Sequence, residues 1–464
     1  MQAATNRFPM LNAYMTSDEI SNATILSRAD WDGTQPTAPT QEDRQPSRTV
    51  RALIAEADPA GFDAQNAPLL GDTAASPVYR AQAPASGAEN GLVLADMRGK
   101  YYDDPMWEQL LDQIVYSSHA MRECLFEAAY QTGALAEIGK PASTEYDGPQ
   151  GLTLADTAGK HWLSDVCGYP AAPVMAATWN APLMYEFGHA AGQEALAADI
   201  DGWYAPALNI LRSPFCGRSS EYYSEDPLLC GLLGAQVVSG AGDAGLSCAV
   251  KHFALMLTEA HKNPNTCIWM TEQALREIYL RPFEIAVKTA RKTILYAQDD
   301  QADTLLSRTM RAADFVMASD SAIGGEWCAA NYALLTQVLR GEWGFEGCVV
   351  SDMHNAVTAP ILEKMLRAGC DTLMSTNSGN TDILSRPASA TTLHRLRTAV
   401  KNVCYRLVNS NLMQGIPPSA SFQYGLSSWR IALIALNACV FALLIAGGAA
   451  CLAGGRSRRG PPRA

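Results

Sequence analysis

Gly341-Glu342-Trp343-Gly344-Phe345-Glu346-Gly347-Cys348-Val349-Val350-Ser351-Asp352-Met353 contains a short apolar run, Cys348 to Val350, set off by glycine and ended by a serine and an aspartate. A run this short, bounded by a turn residue and rich in valine, suits a strand buried on both faces. Such strands belong to parallel sheets, and the residue just past the C-terminal end of a parallel strand faces whatever the sheet binds. Asp352 holds that position.

Working outward, the same pattern returns. Cys248-Ala249-Val250 ends in Lys251-His252, and Gly369-Cys370-Asp371-Thr372-Leu373-Met374 is a third candidate strand. Helical periodicity appears in Trp107 to Ile114, ahead of them, and recurs between two of them in Leu275, Ile278, Tyr279, Phe283 and Ala286. Thr271 is placed to cap the second of these, and Pro282 to kink or end it. Short buried strands alternating with helices over roughly 320 residues predict parallel βα units, either a barrel or a doubly wound sheet.

Both ends differ from this middle. Residues 1–90 are rich in Ala, Pro, Thr, Gln and Asp, as in Thr34-Gln35-Pro36-Thr37-Ala38-Pro39-Thr40, and read as a linker or the remnant of a preceding domain. Met1 to Met15 lacks a charged segment followed by an apolar core, so no signal peptide is expected there. Residues 91–415 are expected to form the barrel and 416–430 a juxtamembrane linker. Ile431 to Ala453 carries no charge and only Asn437 as a strongly polar residue, enough to span a bilayer. Trp429 would lie at the interface. The basic residues Arg456, Arg458, Arg459 and Arg463 place the 454–464 tail in the cytoplasm and the large domain outside.

The chain of 464 residues is 48% hydrophobic and 18% charged, a globular composition with a net charge of −12. That charge repels phosphate backbones and argues against a nucleic-acid partner. The 12 cysteines include no CxxC pair, the seven histidines no HExxH, so no metal site and no cofactor is expected. The scatter of cysteines reads as reduced, mostly buried thiols. Gly240-Ala241-Gly242-Asp243-Ala244-Gly245 matches GxGxxG, but a helical run precedes it and a strand follows. A dinucleotide fold needs the reverse, so these glycines are expected to form only a loop.

Hydrolysis of a glycosidic bond needs one carboxylate to attack or stabilise the anomeric centre and one acid to release the leaving group. Asp352, the Lys251-His252 pair and Asp147 in the turn-type sequence Asp147-Gly148-Pro149 would share one rim. On spacing alone each is equally a capping or ion-pair residue.

Longer motifs narrow this. Gly217-Arg218-Ser219-Ser220-Glu221-Tyr222-Tyr223-Ser224-Glu225-Asp226-Pro227 resembles the GR-x-x-E-x-Y-SEDP signature of glycoside hydrolase family 3. Ala177-Thr178-Trp179-Asn180, Ala205 to Ile210, Lys251-His252-Phe253-Ala254, Glu272 to Glu284 and Leu339 to Asp352 are similar to that family's other segments, in family order, between about Asp96 and Ser375. The resemblance implies a (β/α)8 TIM-type barrel and a retaining mechanism with Asp352 as nucleophile. It implies that Asp147, Arg218, Lys251 and His252 hold hydroxyls of a β-linked oligosaccharide or glucoside, and that Glu221, Glu225 and Asp226 serve internal polar contacts. A β-N-acetylglucosaminidase fits less well, because those enzymes resemble KHFPGHG where this chain has Lys251-His252-Phe253-Ala254-Leu255-Met256-Leu257.

The chain also departs from the family. Thr153 stands where the family often has arginine, Ser319-Asp320-Ser321 where it has SYN, and Met353 where an aromatic follows the nucleophile. Asp320 is expected to bring negative charge near Asp352 and to raise its pKa. The acid/base, a glutamate from a second domain in many members, is not assigned. A membrane-anchored glycosidase is therefore weighed against a non-catalytic sugar-binding or scaffold protein on the same barrel.

Overall fold

The computed structural model describes residues 80, 82–156, 159–162, 166–213, 215–259, 266–302, 304–354, 359–376, 390–420 and 428–457. The chain divides into two units, one ending at Ala420 and one beginning at Ser421.

The strands are β1 (Glu145–Asp147), β2 (Thr153–Asp156), β3 (Gly159–Trp162), β4 (Gly202–Tyr204), β5 (Ser247–Phe253), β6 (Cys267–Ile268), β7 (Arg291–Tyr296), β8 (Leu306–Arg311), β9 (Phe315–Ala318), β10 (Ala322–Ile323), β11 (Glu326–Trp327) and β12 (Cys348–Val350). Of these, β1, β4, β5, β9 and β12 are parallel neighbours in that order. A bridge from Val350 to Thr372 adds one further parallel position. The chain therefore winds in one direction, as a barrel does, and the doubly wound alternative falls away.

The ring closes through residues 125–132. Leu373 N donates to Leu125 O (2.8 Å) and Ala128 N to Leu373 O (3.1 Å). Glu145 N then donates to Tyr130 O (2.9 Å) and Ser143 N to Thr132 O (3.0 Å). That pairing runs antiparallel to β1, a departure from regular (β/α)8 alternation among the described residues. About a dozen residues separate the paired positions, too few for the helical crossover that a parallel neighbour needs. Other additions hang from the ring. β2 and β3 extend β1, β7 pairs with β8 as a hairpin, and β6, β10 and β11 form a small sheet past the ends of β5 and β9.

Helices cover the outside. Ala181–Ala197 and Pro227–Asp243 lie side by side at very short range. A Cβ at Gly240 would sit 2.0 Å from Tyr185 O, and one at Gly188 2.1 Å from Val237 O. The GxGxxG stretch is thus corrected. Gly240 and Gly242 lie inside the Pro227–Asp243 helix, and Gly240 is a packing glycine; only Gly245, at φ +88°, turns the chain. Gly240→Ala is expected to force these helices apart at a cost of about 2 kcal/mol, as overpacking does, and a denaturant midpoint reads it.

The other helix expectations hold with one refinement. Met106–Leu111 forms the first, and Thr271 Oγ1 accepts from Ala274 N at the start of the second. That second helix widens to a π-turn at Leu275–Tyr279 before restarting at Arg281, next to Pro282, whose missing N–H cannot continue the ladder.

The floor of the barrel, at the strands' N-terminal ends, is ionic. Lys292 Nζ meets Asp314 at 2.5 Å. The buried Arg406 reaches Glu145 at 2.6 Å and Asp201 at 3.3 Å. One guanidinium therefore serves two carboxylates. Burial raises the Asp201 carboxyl most, Arg406 works against it and Glu145 adds to it, leaving Asp201 at about 7. Between about pH 4, where an unfolded aspartate loses its proton, and 7, the folded chain binds a proton that the unfolded chain has released. Stability from this group is expected to increase as pH falls from 8 toward 5, at up to about 1.4 kcal/mol per unit. Thermal midpoints across that range measure it, and the dependence is expected to flatten in Asp201→Asn.

The start of the described chain is fastened to the barrel. Arg80 N donates to Thr391 Oγ1 (3.0 Å), and His394 Nε2 lies 3.0 Å from Gln82 O, both in the first turns of the helix Ala390–Val408. The end is fastened elsewhere: Ser419 N donates to Asp96 Oδ1 (2.7 Å), near Arg98, which holds Val408 O and Ser410 O. The expected linker 1–90 otherwise lies outside the described residues up to 79, and its last part, 82–90, bonds to residues 109–114.

Among its described residues the second unit contains one helix, Ser428–Ser457, whose stretch Ser428–Cys451 is long and apolar enough to cross a membrane. The 458–464 part of the basic tail lies outside the described residues.

Candidate active site

Four strand ends supply the site. Asp147 is the last residue of β1 and Lys251 lies near the end of β5, inside the strand where the apolar run alone had ended it. Asp320 stands two residues past β9 and Asp352 two past β12. The turn after Asp147 can only be glycine, since a Cβ at Gly148 would meet Gly151 O at 2.0 Å.

Lys251 Nζ donates to Asp147 Oδ1 at 2.5 Å, with Lys251 only 2% exposed. Gly148 N donates to the same oxygen at 2.8 Å. Burial works against the Asp147 charge, but Lys251 and these hydrogen bonds outweigh it and hold the carboxyl below its ordinary value. Lys251 also lies 4.0 Å from Glu221.

Arg218 follows Gly217, which turns the chain at φ +85°. Its guanidinium makes three contacts of 3.2–3.3 Å with Glu221 and stands 3.6 Å from Glu259. Burial lowers its pKa, yet Glu221, Tyr222, Asp352 and Glu259 together carry it above the ordinary value. Arg218 thus shares a field with Asp352. The internal role expected for the acidic residues of this segment divides. Glu221 orients Arg218, Asp226 caps the Pro227–Asp243 helix by accepting from Leu228 N (2.7 Å), and Glu225 is exposed.

His252 is buried and fixed by Asn209, whose Oδ1 accepts from His252 N (2.8 Å) and whose Nδ2 donates to His252 O (2.9 Å). Tyr130 is pushed to about 12 by burial first and by Asp147 and Asp352 next, so it stands close to both aspartates. At β12, Asp352 Oδ1 accepts from Met353 N (2.7 Å). Ser351 Oγ donates to Asp352 O (2.7 Å) and accepts from Met374 N (3.0 Å), which anchors the segment to the next strand position. The structure therefore gathers Asp147, Arg218, Lys251 and Asp352 around one mouth, with His252 buried next to Lys251 on β5.

Sequence patterns did not point to Tyr130, Trp327 or His354, and Asn209 was noted only as part of the Ala205–Ile210 segment, without a role. The partner recorded for Asp320 is His354, at 3.4 Å. Thr153, at the position where the family often has arginine, stands directly opposite Asp147 in the β1–β2 pair.

A singly wound ring, parallel except where residues 130–132 close it against β1, with carboxylates and cations converging at its C-terminal mouth, defines a TIM-type α/β barrel built to hold a polar ligand. The profile described as "Glycosyl hydrolase family 3 N terminal domain" matches residues 126–410, and the chain belongs to that family. It is 38% identical over 220 residues to beta-glucosidase A of Butyrivibrio fibrisolvens, covering 47% of this chain and 23% of that protein. It is 34% identical over 257 residues to thermostable beta-glucosidase B of Acetivibrio thermocellus, covering 54% and 31%. Among solved structures it resembles beta-glucosidase 3B from Thermotoga neapolitana in complex with glucose, with TM-score 0.53, 29% identity, and 66% and 42% of the two chains covered. A beta-glucosidase from Paenibacillus barengoltzii gives TM-score 0.58 at 26% identity, covering 76% of this chain and 38% of that one. The matched region thus spans less than a third of these two curated relatives.

Proposed function

We propose that this chain hydrolyses β-linked glucosides with retention of configuration, using Asp352 as nucleophile. The observation that carries this is the convergence at one barrel mouth of Asp352, the Asp147–Lys251 pair and Arg218. A sugar ring offers several adjacent hydroxyls, and ionised partners bind these with directional, charge-assisted hydrogen bonds. Asp147 accepts from ring hydroxyls while Lys251, Arg218 and His252 donate. The Asp352 carboxylate attacks the anomeric carbon and forms a glycosyl-enzyme, which water then opens. Family membership and the beta-glucosidase relatives support the reaction class.

The stretch Ser428–Cys451 tethers the enzyme to a bilayer, with the barrel outside and the arginine-rich tail in the cytoplasm. The test uses the full chain in detergent and an activated aryl β-glucoside. Aryl release, with the β-anomer of the free sugar appearing first by NMR, is the expected result. Binding of glucose without release would instead make this barrel a sugar receptor.

A further inference from the structure

We infer that His354, positioned by Asp320, is the acid that protonates the leaving group, so that the barrel holds both halves of its catalytic machinery. This rests on the hydrolase function proposed above.

His354 lies two residues beyond Asp352, so its Cα is at most about 7 Å from the nucleophile's. A retaining pair works across about 5–5.5 Å between carboxyl and acid, which side chains on such neighbours can set. The position is fixed rather than loose. His354 N donates to Met374 O (2.9 Å), pinning the backbone to the same strand position that anchors Ser351. The imidazole is partly exposed toward solvent, while the carboxylate behind it is buried. Asp320 Oδ1 lies 3.4 Å from Nδ1. That oxygen has no hydrogen-bond partner, so a small rotation of the ring completes the contact. A carboxylate on Nδ1 assigns the Nδ1–H tautomer and leaves Nε2 to exchange a proton with substrate. Trp327, delivered by β11, lies with its ring centroid 5.0 Å from the imidazole and restricts its tilt.

The site thus contains a buried carboxylate, an imidazole it orients and a carboxylate nucleophile two residues away. In the first step the proton on His354 Nε2 passes to the glycosidic oxygen. The C1–O bond breaks with its electron pair going to that oxygen, and Asp352 bonds to C1. In the second, neutral His354 takes a proton from water as the water oxygen bonds to C1 and the Asp352 carboxylate leaves. Asp320 touches no substrate and is a positioning residue.

The experiment measures kcat/KM of the full chain on aryl β-glucosides running from dinitrophenyl to unsubstituted phenyl. General acid help matters most for the poor leaving groups. The unaltered chain is expected to show a shallow dependence on the leaving group. His354→Ala and His354→Gln are expected to lose about 100-fold on phenyl glucoside and under about threefold on dinitrophenyl glucoside. Asp320→Asn is expected to steepen the same slope to a lesser degree. Azide added to the His354 variants should yield the β-glucosyl azide, because it intercepts the glycosyl-enzyme on the face that water uses. A uniform loss across the series, an unchanged slope, or an unaltered chain already as steep as the variants would overturn the role of His354 and leave Asp352 standing. No release of dinitrophenol by the unaltered chain would sink both.

Discussion

Asp352→Ala is expected to abolish turnover of every β-glucoside, with kcat/KM falling on the order of 10⁴-fold, as when a nucleophile is lost from a working unit. The loss should not depend on the leaving group, because the missing group attacks carbon and does not protonate oxygen. The variant also has a product signature. Azide can enter the space that the carboxylate vacated and attack C1 from that side, giving the α-glucosyl azide. Product NMR reads the anomer directly. Activity persisting in Asp352→Ala would move the nucleophile elsewhere on the rim. Since Asp352 sits past the end of β12 and not within it, its truncation should leave the thermal midpoint nearly unchanged.

Lys251→Met is the second large effect, and it acts on stability as well as on binding. Lys251 is buried, and its ammonium is 2.5 Å from Asp147. Removing one member of a buried pair costs about 3–5 kcal/mol, because the remaining charge keeps its desolvation penalty. The loss should be greatest near neutral pH. Asp147 has its carboxyl held below the ordinary value, so its ion pair contributes above the unfolded pKa of about 3.9 and is lost as pH falls through the folded value. Denaturant curves for the two proteins should therefore stand well apart at pH 7 and draw together below about pH 4. In the variant, burial still raises the Asp147 carboxyl while only the Gly148 N–H and Arg218 oppose it, so sugar affinity should fall as well. An unchanged KM would remove Asp147 and Lys251 from the sugar site.

The features legible in the sequence share a physical cause. β5 and β12 are apolar runs because helices cover the outer face of a barrel strand and the packed barrel interior covers the inner one, and a core strand cannot hide its composition. β1 escaped notice because Glu145-Tyr146-Asp147 is polar, and its burial is compensated by Arg406, which lies 261 positions further on. The Gly240 stretch was misread because glycine signals a turn in isolation, whereas here a neighbouring helix leaves no room for a side chain. Asp226, expected to serve internal polar contacts, instead caps the Pro227–Asp243 helix, where a short acceptor is followed by proline at the first helical position. His354 and Asp320 are 34 positions apart, each just past the end of one of two adjacent strands, and the parallel pairing of β9 with β12 brings them together.

The two ends of the described barrel unit are fastened on opposite sides of it. Helices of the barrel start on the side of the catalytic mouth and finish on the side of the ionic floor. Arg80 is bonded at the start of the helix Ala390–Val408, whereas Ser419 is held beside Asp96 and Arg98, next to that helix's last carbonyls. The folded unit is therefore threaded from front to back. Arg80 is held at the front, on the side of the catalytic mouth, and Ser419 at the back, on the side of the ionic floor.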